Sequence, residues 1–293
     1  MDWLEIAVIA APDDEEAVSD VLRLHAGGVA IEEHASDSMH RLSLKAYLPH
    51  DGRLPSRRRA LRRALSRLEP SQALTVLRSR TVHEEDWANA WKKHFRVERI
   101  GLIVVCPRWR RHRPRAGEIV ITLDPGMAFG TGQHPTTRMC LLALQERVTL
   151  GMSVLDLGAG SGILAIAAAL LGAAKAVALD NDPLAIEIAK ANVAANGFEG
   201  KVSVAQGSLG AAWPFDASEP TRFDCVAANI SSATIVELAG GLVDALKTDG
   251  LGIAGGISEE RVDDCRLALE QSGARVTSTM SEGDWRTLLF EAK

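Results

Sequence analysis

The spacing of hydrophobic and polar residues changes twice along this chain. Residues 3–9 (Trp-Leu-Glu-Ile-Ala-Val-Ile) alternate, as a strand with one buried face requires. Pro12 and the acids Asp13 to Glu16 then open a helix expected to reach about Leu24, with Gly27-Gly28 ending it. Val29–Glu33 and Arg41–Leu48 are strand-like, a basic helix is expected from about Ser56 to Leu68, where Pro70 stops it, and Ala73–Leu77 is a fourth strand. The order βαββαβ is the ferredoxin-like pattern. Residues 84–95 predict a helix with its acids first and its bases last, which suits the helix dipole; Trp87, Trp91 and Phe95 share one face at i, i+4 and i+8. Short strands are expected at Leu102–Val105 and Ile119–Leu123.

From residue 153 the rhythm is strand, helix, strand. Val154–Leu157, Ala176–Asp180, Val202–Ala205, Cys225–Asn229 and Gly252–Ala254 are strand-like with helical segments between them, the pattern of a parallel sheet covered on both faces. Arg275–Met280 and Arg286–Glu291 differ, because the short connection at Gly283 leaves room for antiparallel pairing alone. The expectation is a ferredoxin-like α+β domain over residues 1–80, a linker helix over 81–100, and an α/β domain over 101–293: a Rossmann-like, mostly parallel seven-stranded sheet ending in an antiparallel hairpin.

Composition narrows the class further. Of the 293 residues 46% are hydrophobic and 24% charged, ordinary for a globular chain. No apolar run approaches the about eighteen residues of a membrane span, and no signal segment is visible at the start. The four cysteines are scattered without a Cys-x-x-Cys pair, which suits a reducing cytoplasm and offers no metal-ligand spacing. The net charge of −5 hides a split: residues 1–150 balance at +4 and residues 151–293 at −9. Such a split suggests parts with different partners.

The densest chemical signal is Asp156-Leu157-Gly158-Ala159-Gly160-Ser161-Gly162, a strand end, a glycine turn and a helix start. Doubly wound sheets bind ligands at that place, and glycine lets the backbone approach a ligand that a Cβ would block. The Gly-x-Gly-x-Gly spacing differs from the Gly-x-Gly-x-x-Gly of nicotinamide dehydrogenases. Asp156 is placed to face a ligand ammonium group, a charge that NAD lacks. The next strand ends at Asp180, where an acid can accept hydrogen bonds from both hydroxyls of a ribose; Asp182, before Pro183, suits a helix cap instead. Upstream, residues 124–137 carry three glycines within seven residues. This loop is expected to act as a flap, with Phe129 and Gly130 against the ligand and Thr137 offering a hydroxyl; a mere connecting loop is the plainer alternative. His134, a lone histidine, is assigned no role. Asn229 ends the fourth strand, where an amide can hold a cofactor or accept a hydrogen bond from an incoming amine; capping the next helix, which Ser231 or Ser232 could equally serve, is the alternative. No prolines or aromatic follow Asn229 to stack a flipped base. Two arginine-rich runs, 53–67 and 108–115, are either solvated faces or contact sites for RNA or an acidic protein.

These motifs resemble the bacterial ribosomal protein L-eleven methyltransferases over nearly the whole length. Trp3-Leu4-Glu5-Ile6, Glu85-Asp86-Trp87-Ala88-Asn89-Ala90-Trp91-Lys92, the flap Asp124–Thr137, the segment Asp156–Ala167 and Asp180–Pro183 carry the likeness. The chain departs from the family at Ile230-Ser231-Ser232, where Ile-Leu-Ala is usual, and over Met39–Arg67. The resemblance implies a class I fold, with S-adenosylmethionine held by Thr137, Gly158, Asp180 and Asn229, joined by Asp156, Gly160, Phe129 and Gly130. It implies Asn229 as the catalytic side chain and amino groups of the L-eleven protein, free or on the ribosome, as substrate, lysines first and the N-terminal α-amine second. Another protein lysine, or RNA, is the alternative substrate, and a cytoplasmic monomer is expected. A lysine must be neutral to attack, which near pH 7 costs about 4–5 kcal/mol for a pKa of ~10.4. A neighbouring positive charge and desolvation lower that pKa, so no strong side-chain base is required.

Overall fold

A computed structural model describes residues 3–26, 29–33, 41–68, 75–76, 80–82, 95–124, 126, 128, 130–215 and 220–292. The chain divides into two compact units, residues 1–95 and 96–293. Of the linker helix expected over 81–100, residues 83–94 lie outside the described residues; at its ends 81–82 and 98–100 are strand and 95–97 have no regular structure.

The first unit opens with β1 (Trp3–Ala10), a single 3-10 turn at Pro12–Asp14 and α1 (Glu15–His25). β2 (Val29–Glu33), β3 (Leu42–Pro49) and α2 (Leu54–Leu65) follow, then β4 (Thr75–Val76) and β5 (Arg80–Val82). The antiparallel order β2-β3-β1-β4 is that of the expected βαββαβ pattern. Its last strand comes in two pieces: β4 pairs with Val8 and Ile9, and β5 with Trp3 to Glu5. The core is the even-numbered face of β1 (Leu4, Ile6, Val8, Ala10) closed by Val18 and Leu22 of α1, Leu44 and Leu48 of β3, and Leu61 and Leu65 of α2. Period 2 in the strands and period 3.6 in the helices meet on one apolar layer.

The second unit begins with a three-stranded sheet, β6 (Glu98–Ile100), β7 (Ile103–Pro107) and β8 (Ile119–Leu123). After α3 (Pro135–Arg147) come β9 (Ser153–Leu157), α4 (Ile163–Leu170), β10 (Lys175–Asp180), α5 (Pro183–Ala195) and β11 (Val202–Gln206). β12 (Phe223–Asn229), α6 (Ser232–Asp244), β13 (Leu246–Ser258), α7 (Val262–Gln271), β14 (Ala274–Glu282) and β15 (Trp285–Ala292) complete it. The seven-stranded order is β11-β10-β9-β12-β13-β15-β14. The first five strands run parallel and β15 is antiparallel to both neighbours, as expected.

Strand alternation sorts this sheet's side chains between two cores. Val154, Ala176, Ala178, Cys225, Ala227 and Ile253 face α3 and α4, while Leu155, Leu157, Val177, Leu179, Val226 and Ala254 face α6 and α7. α4 (Ile-Leu-Ala-Ile-Ala-Ala-Ala-Leu) is apolar all round and buried over Ile163–Ala169, the composition of a helix in a core rather than on one. β13 is far longer than the expected Gly252–Ala254. Leu246 already pairs with Phe223, the register then shifts, and Leu251–Gly255 pair with Cys225–Asn229. The exposed Lys247-Thr248-Asp249 insert, with Asp249 at φ 59°, interrupts the apolar pattern and hides the strand's first half from a periodicity argument.

Gly252 shows how tightly this layer is packed. A Cβ there would lie 2.1 Å from the ring of Phe290, itself buried on the neighbouring strand. Gly252→Ala is expected to cost about 2–3 kcal/mol by overpacking and to lower Tm by about 5–10 °C. Pairing it with Phe290→Leu should recover part of the loss in the same thermal melt; no recovery would place the strain elsewhere.

Candidate functional site

Alternation also places the polar residues. Asp156 is level with Ala178 on one side and Ala227 on the other, so all three share the α3/α4 face. Two residues further along each flanking strand, on that same face, stand Asp180 and Asn229. The two therefore flank the carboxyl end of β9, with the glycine turn 158–162 between them and Asp156 one step deeper.

The turn is tied down by side chains from other segments. Gly158 and Ala159 donate backbone N–H groups to Leu179 O at 2.8 and 2.9 Å. The Gly160 N–H donates to Asp180 Oδ2 at 2.8 Å, and the Asp182 N–H to Asp180 Oδ1 at 3.0 Å. Asp180 thus fixes the turn as well as presenting its remaining lone pairs. Asp182 caps α5 by accepting from the Leu184 N–H at 2.9 Å, the role its place before Pro183 predicts. Gly158 has φ 74°, and a Cβ on it would sit 2.2 Å from Ile230 Cγ2; no other residue fits that place without moving Ile230.

Asp156 is fully buried. Its Oδ2 accepts from the Ala165 N–H at 2.9 Å, holding the first turn of α4, and its Oδ1 is buried with no hydrogen-bond partner among the described residues. Burial pushes its carboxyl up to about 7; the Ala165 N–H opposes this and the nearby Asp180 charge adds to it.

On the other flank, Asn229 Nδ2 donates to Thr137 Oγ1 at 3.2 Å, across 92 residues of chain. Thr137 is fully buried in the first turn of α3, and Asn229 Oδ1 is buried without a hydrogen-bond partner among the described residues. Asn229 does not cap the helix after it. Ser231 does, its Oγ accepting from the Thr234 N–H at 3.3 Å, and the buried Ser232 Oγ accepts from the Ser258 N–H at 3.3 Å. The departure from the family pattern at 231–232 thus supplies a helix cap and a bond to β13. His134, given no chemical role, caps α3 through Nδ1, which accepts from the Thr136 N–H, and packs edge-on against Trp285 at 4.8 Å.

The loop before α3 is described except at residues 125, 127 and 129, so Phe129 lies outside the described residues. Gly130 O accepts from the buried Ser161 hydroxyl at 2.5 Å, which ties the loop directly to the glycine turn. Two asparagines that carried no signal in the sequence complete the tie. Asn192 accepts from the Asp124 N–H at 2.8 Å and donates to Asp124 O at 3.0 Å and Ser161 O at 2.9 Å. One turn on, Asn196 accepts from the Thr122 N–H at 2.9 Å and donates to Thr122 O at 2.7 Å. The amides of α5 therefore pair with alternate residues of β8 as a neighbouring strand would.

The site thus joins an acid, a rigid glycine cradle and an amide at the switch point of a doubly wound sheet. Two of its oxygens are buried and open to a donor. That acceptor set suits a ligand bearing hydroxyls and an ammonium group. The family model for ribosomal protein L11 methyltransferases matches residues 2–293. The chain belongs to this family. It is 42% identical over 316 residues to the ribosomal protein L11 methyltransferase of Pelotomaculum thermopropionicum, covering all of both chains. It is 40% identical over 318 residues to that of Chloroflexus aurantiacus, covering 98% of this chain and 97% of the relative. Among solved structures it is similar to the ribosomal protein L11 methylase of Lactobacillus delbrueckii subsp. bulgaricus, at 29% identity and a TM-score of 0.59, over 68% of this chain and all of that one.

The state of Asp156 sets a testable pH dependence. Its folded pKa, about 7, lies above the ordinary 3.8, so folding favours the protonated form and stability falls as pH rises from about 4 through 7. Asp156→Asn keeps an acceptor for the Ala165 N–H and removes the buried charge. In the ligand-free protein it is expected to raise Tm by several degrees at pH 8 and to change it little at pH 4. An equal effect at both pH values would show that the carboxyl does not titrate in this range.

Proposed function

We propose that this chain transfers methyl groups from S-adenosylmethionine to amino groups of ribosomal protein L11, with lysine side chains as principal acceptors and the N-terminal α-amine as a further one. The observation that carries the assignment of roles is the half-buried Asn229–Thr137 pair, with Asn229 Oδ1 left without a partner among the described residues at the end of β12. Bound S-adenosylmethionine supplies a methyl group made electrophilic by a positively charged sulfur. Asp180 accepts hydrogen bonds from its ribose, Gly158 and Gly160 admit it close to the backbone, and Asp156 faces its ammonium group. That cation would bring the Asp156 carboxyl back toward its ordinary acidity. Phe129 and Gly130 cover the site.

Asn229 is the catalytic side chain in this reading. Thr137 holds its amide so that Oδ1 accepts from the N–H of the incoming amine and orients the lone pair of that nitrogen. No residue needs to act as a strong base, because a desolvated amine beside a positive charge loses its proton readily. The first unit recognises the substrate protein and the linker after it lets it pivot, with the enzyme acting as a cytoplasmic monomer. Among the described residues no helix is long and apolar enough to cross a membrane.

Mass spectrometry of purified L11 incubated with the protein and S-adenosylmethionine is the direct test. Gains in steps of one methyl, mapped to lysines or the α-amine, are expected. Asn229→Ala should lower turnover at least 100-fold, about 2.7 kcal/mol or more of lost transition-state stabilisation. Near wild-type turnover in that variant would remove Asn229 from the chemistry. No gain of mass in L11 with the wild-type protein would overturn the substrate.

A further inference from the structure

The first unit carries a concentration of charge that methyl transfer does not use. Residues 1–95 hold 14 basic and 15 acidic side chains, nearly balanced, yet seven of the 14 are the arginines between 53 and 67. α2 itself has no acid, and in its neighbourhood Asp51 pairs with Arg57 at 3.0 Å. Arg58, Arg59 and Arg62 are exposed and meet no carboxylate at ion-pair distance among the described residues. Within a nearly neutral unit the basic charge is therefore concentrated at α2.

These arginines surround a cleft. It measures about 440 Å³, has Leu4, Leu54 and Pro55 in its lining, and is rimmed by His50, Arg58, Arg59 and Arg62. That volume lies in the range of small-molecule clefts, roughly 300–1,000 Å³. The helix pattern shows that the opening is built in. Leu54, Leu61 and Leu65 of α2 face the core, and position 58, one turn after Leu54, stands at the edge of that stripe. That position holds Arg58, which is exposed. A leucine there would extend the core; an arginine there sets a cation above an apolar floor.

Cations around an apolar floor complement a chain that alternates phosphates with flat apolar faces. Guanidinium groups bind phosphate in a planar fork and stack on bases, and every cation of this helix is an arginine rather than a lysine. An acidic protein segment would engage the same charges but has no use for the floor. We infer that the α2 cleft is a single-stranded RNA contact, in which Arg58, Arg59 and Arg62 hold phosphates and a base rests on Leu4, Leu54 and Pro55. The contact is independent of the methyl-transfer reading, because it is read out by RNA binding with no cofactor present.

The test is fluorescence anisotropy of a labelled ten-nucleotide single-stranded RNA titrated with the full chain between about 50 and 200 mM salt. The triple variant Arg58→Gln, Arg59→Gln, Arg62→Gln is expected to bind at least about tenfold more weakly at the lowest salt. It should also flatten the slope of log K against log salt by about two, since each phosphate neutralised contributes ~0.7 to that slope. The matched triple Arg110→Gln, Arg111→Gln, Arg113→Gln in the other basic run should stay within about twofold of wild type. Circular dichroism confirms that each variant folds; should the α2 triple fail, Arg62→Gln alone, at an exposed position, should weaken binding about threefold. Leu54→Ala should weaken binding with the salt slope unchanged, since it removes floor and no charge. The proposal falls if the wild type shows no binding at the lowest salt, if the α2 variants bind as wild type does, or if the two triples lose affinity equally. It also falls if polyglutamate at equal charge concentration displaces the RNA, which would make the cleft a site for acidic protein.

Discussion

The peptide groups of the turn between β9 and α4 set the terms for the rest of this site. A turn of three alternate glycines has no large side chains with which to pack itself, and its N–H and C=O groups lie in or near the core, where each one left unpaired costs about 1–3 kcal/mol. Their partners come from elsewhere: Asp156 for Ala165, Asp180 for Gly160, Leu179 O for Gly158 and Ala159, and Asn192 for Ser161 O. Ser161 then passes the constraint outward by donating to Gly130 O. The end of the loop before α3, the turn and the tip of β10 therefore move together or lose hydrogen bonds. That coupling makes Asp180 part of the cradle as well as the tip of its own strand.

The sheet supplies the remaining order. Because β9, β10 and β12 are parallel and in register, residues level with one another on the three strands point to one side. Alanines at 178 and 227 leave room for Asp156 between them, and the small side chains of α4 let the helix lie close above. Under Asn229 the space is equally full. A Cβ on Gly255 would stand 2.5 Å from Cys140 Sγ, 3.2 Å from Thr287 Oγ1 and 3.3 Å from Asn229 Oδ1. The amide is therefore set by what surrounds it as well as by Thr137. Cys140 belongs to that wall and is no rival nucleophile: burial, aided by the Asp156 charge, pushes its thiol up to about 12.

Much of this was legible in the sequence because it rests on local chemistry. Asp182 before Pro183, glycines at a strand end and an acid at the next strand's tip are short-range signals with one structural meaning each. Asn192 and Asn196 were not legible. They sit on or just past α5, and their partners at Asp124 and Thr122 are 68 and 74 residues away. Nothing in helix periodicity distinguishes an asparagine that pairs with a strand from one that faces water. β5 and β6, three residues each, are too short to show a period, and the break in β13 replaced an apolar run with Lys247-Thr248-Asp249. The serines at 231 and 232 were legible as possible caps, but that Ser231 takes the role and leaves Asn229 to Thr137 is a matter of geometry.

The charge split between the halves of the chain changes meaning once it is resolved by unit. Residues 1–95 are nearly neutral, so the excess of +4 in the first half arises from residues 96–150. Within those, Arg99 and His112 both pair with Glu118, so part of the second basic run's surroundings is neutralised and held in place. The Glu118 carboxyl is held down to about 2, first by the Arg115 N–H and then by His112. Among the described residues the α2 arginines meet no carboxylate but Asp51, and they crowd one another at i, i+1 and i+4. Like charges four residues apart destabilise an isolated helix by a few tenths of a kcal/mol per pair. A helix that tolerates this repulsion beside an apolar opening is better explained by an anionic occupant than by solubility, for which mixed charges would serve as well.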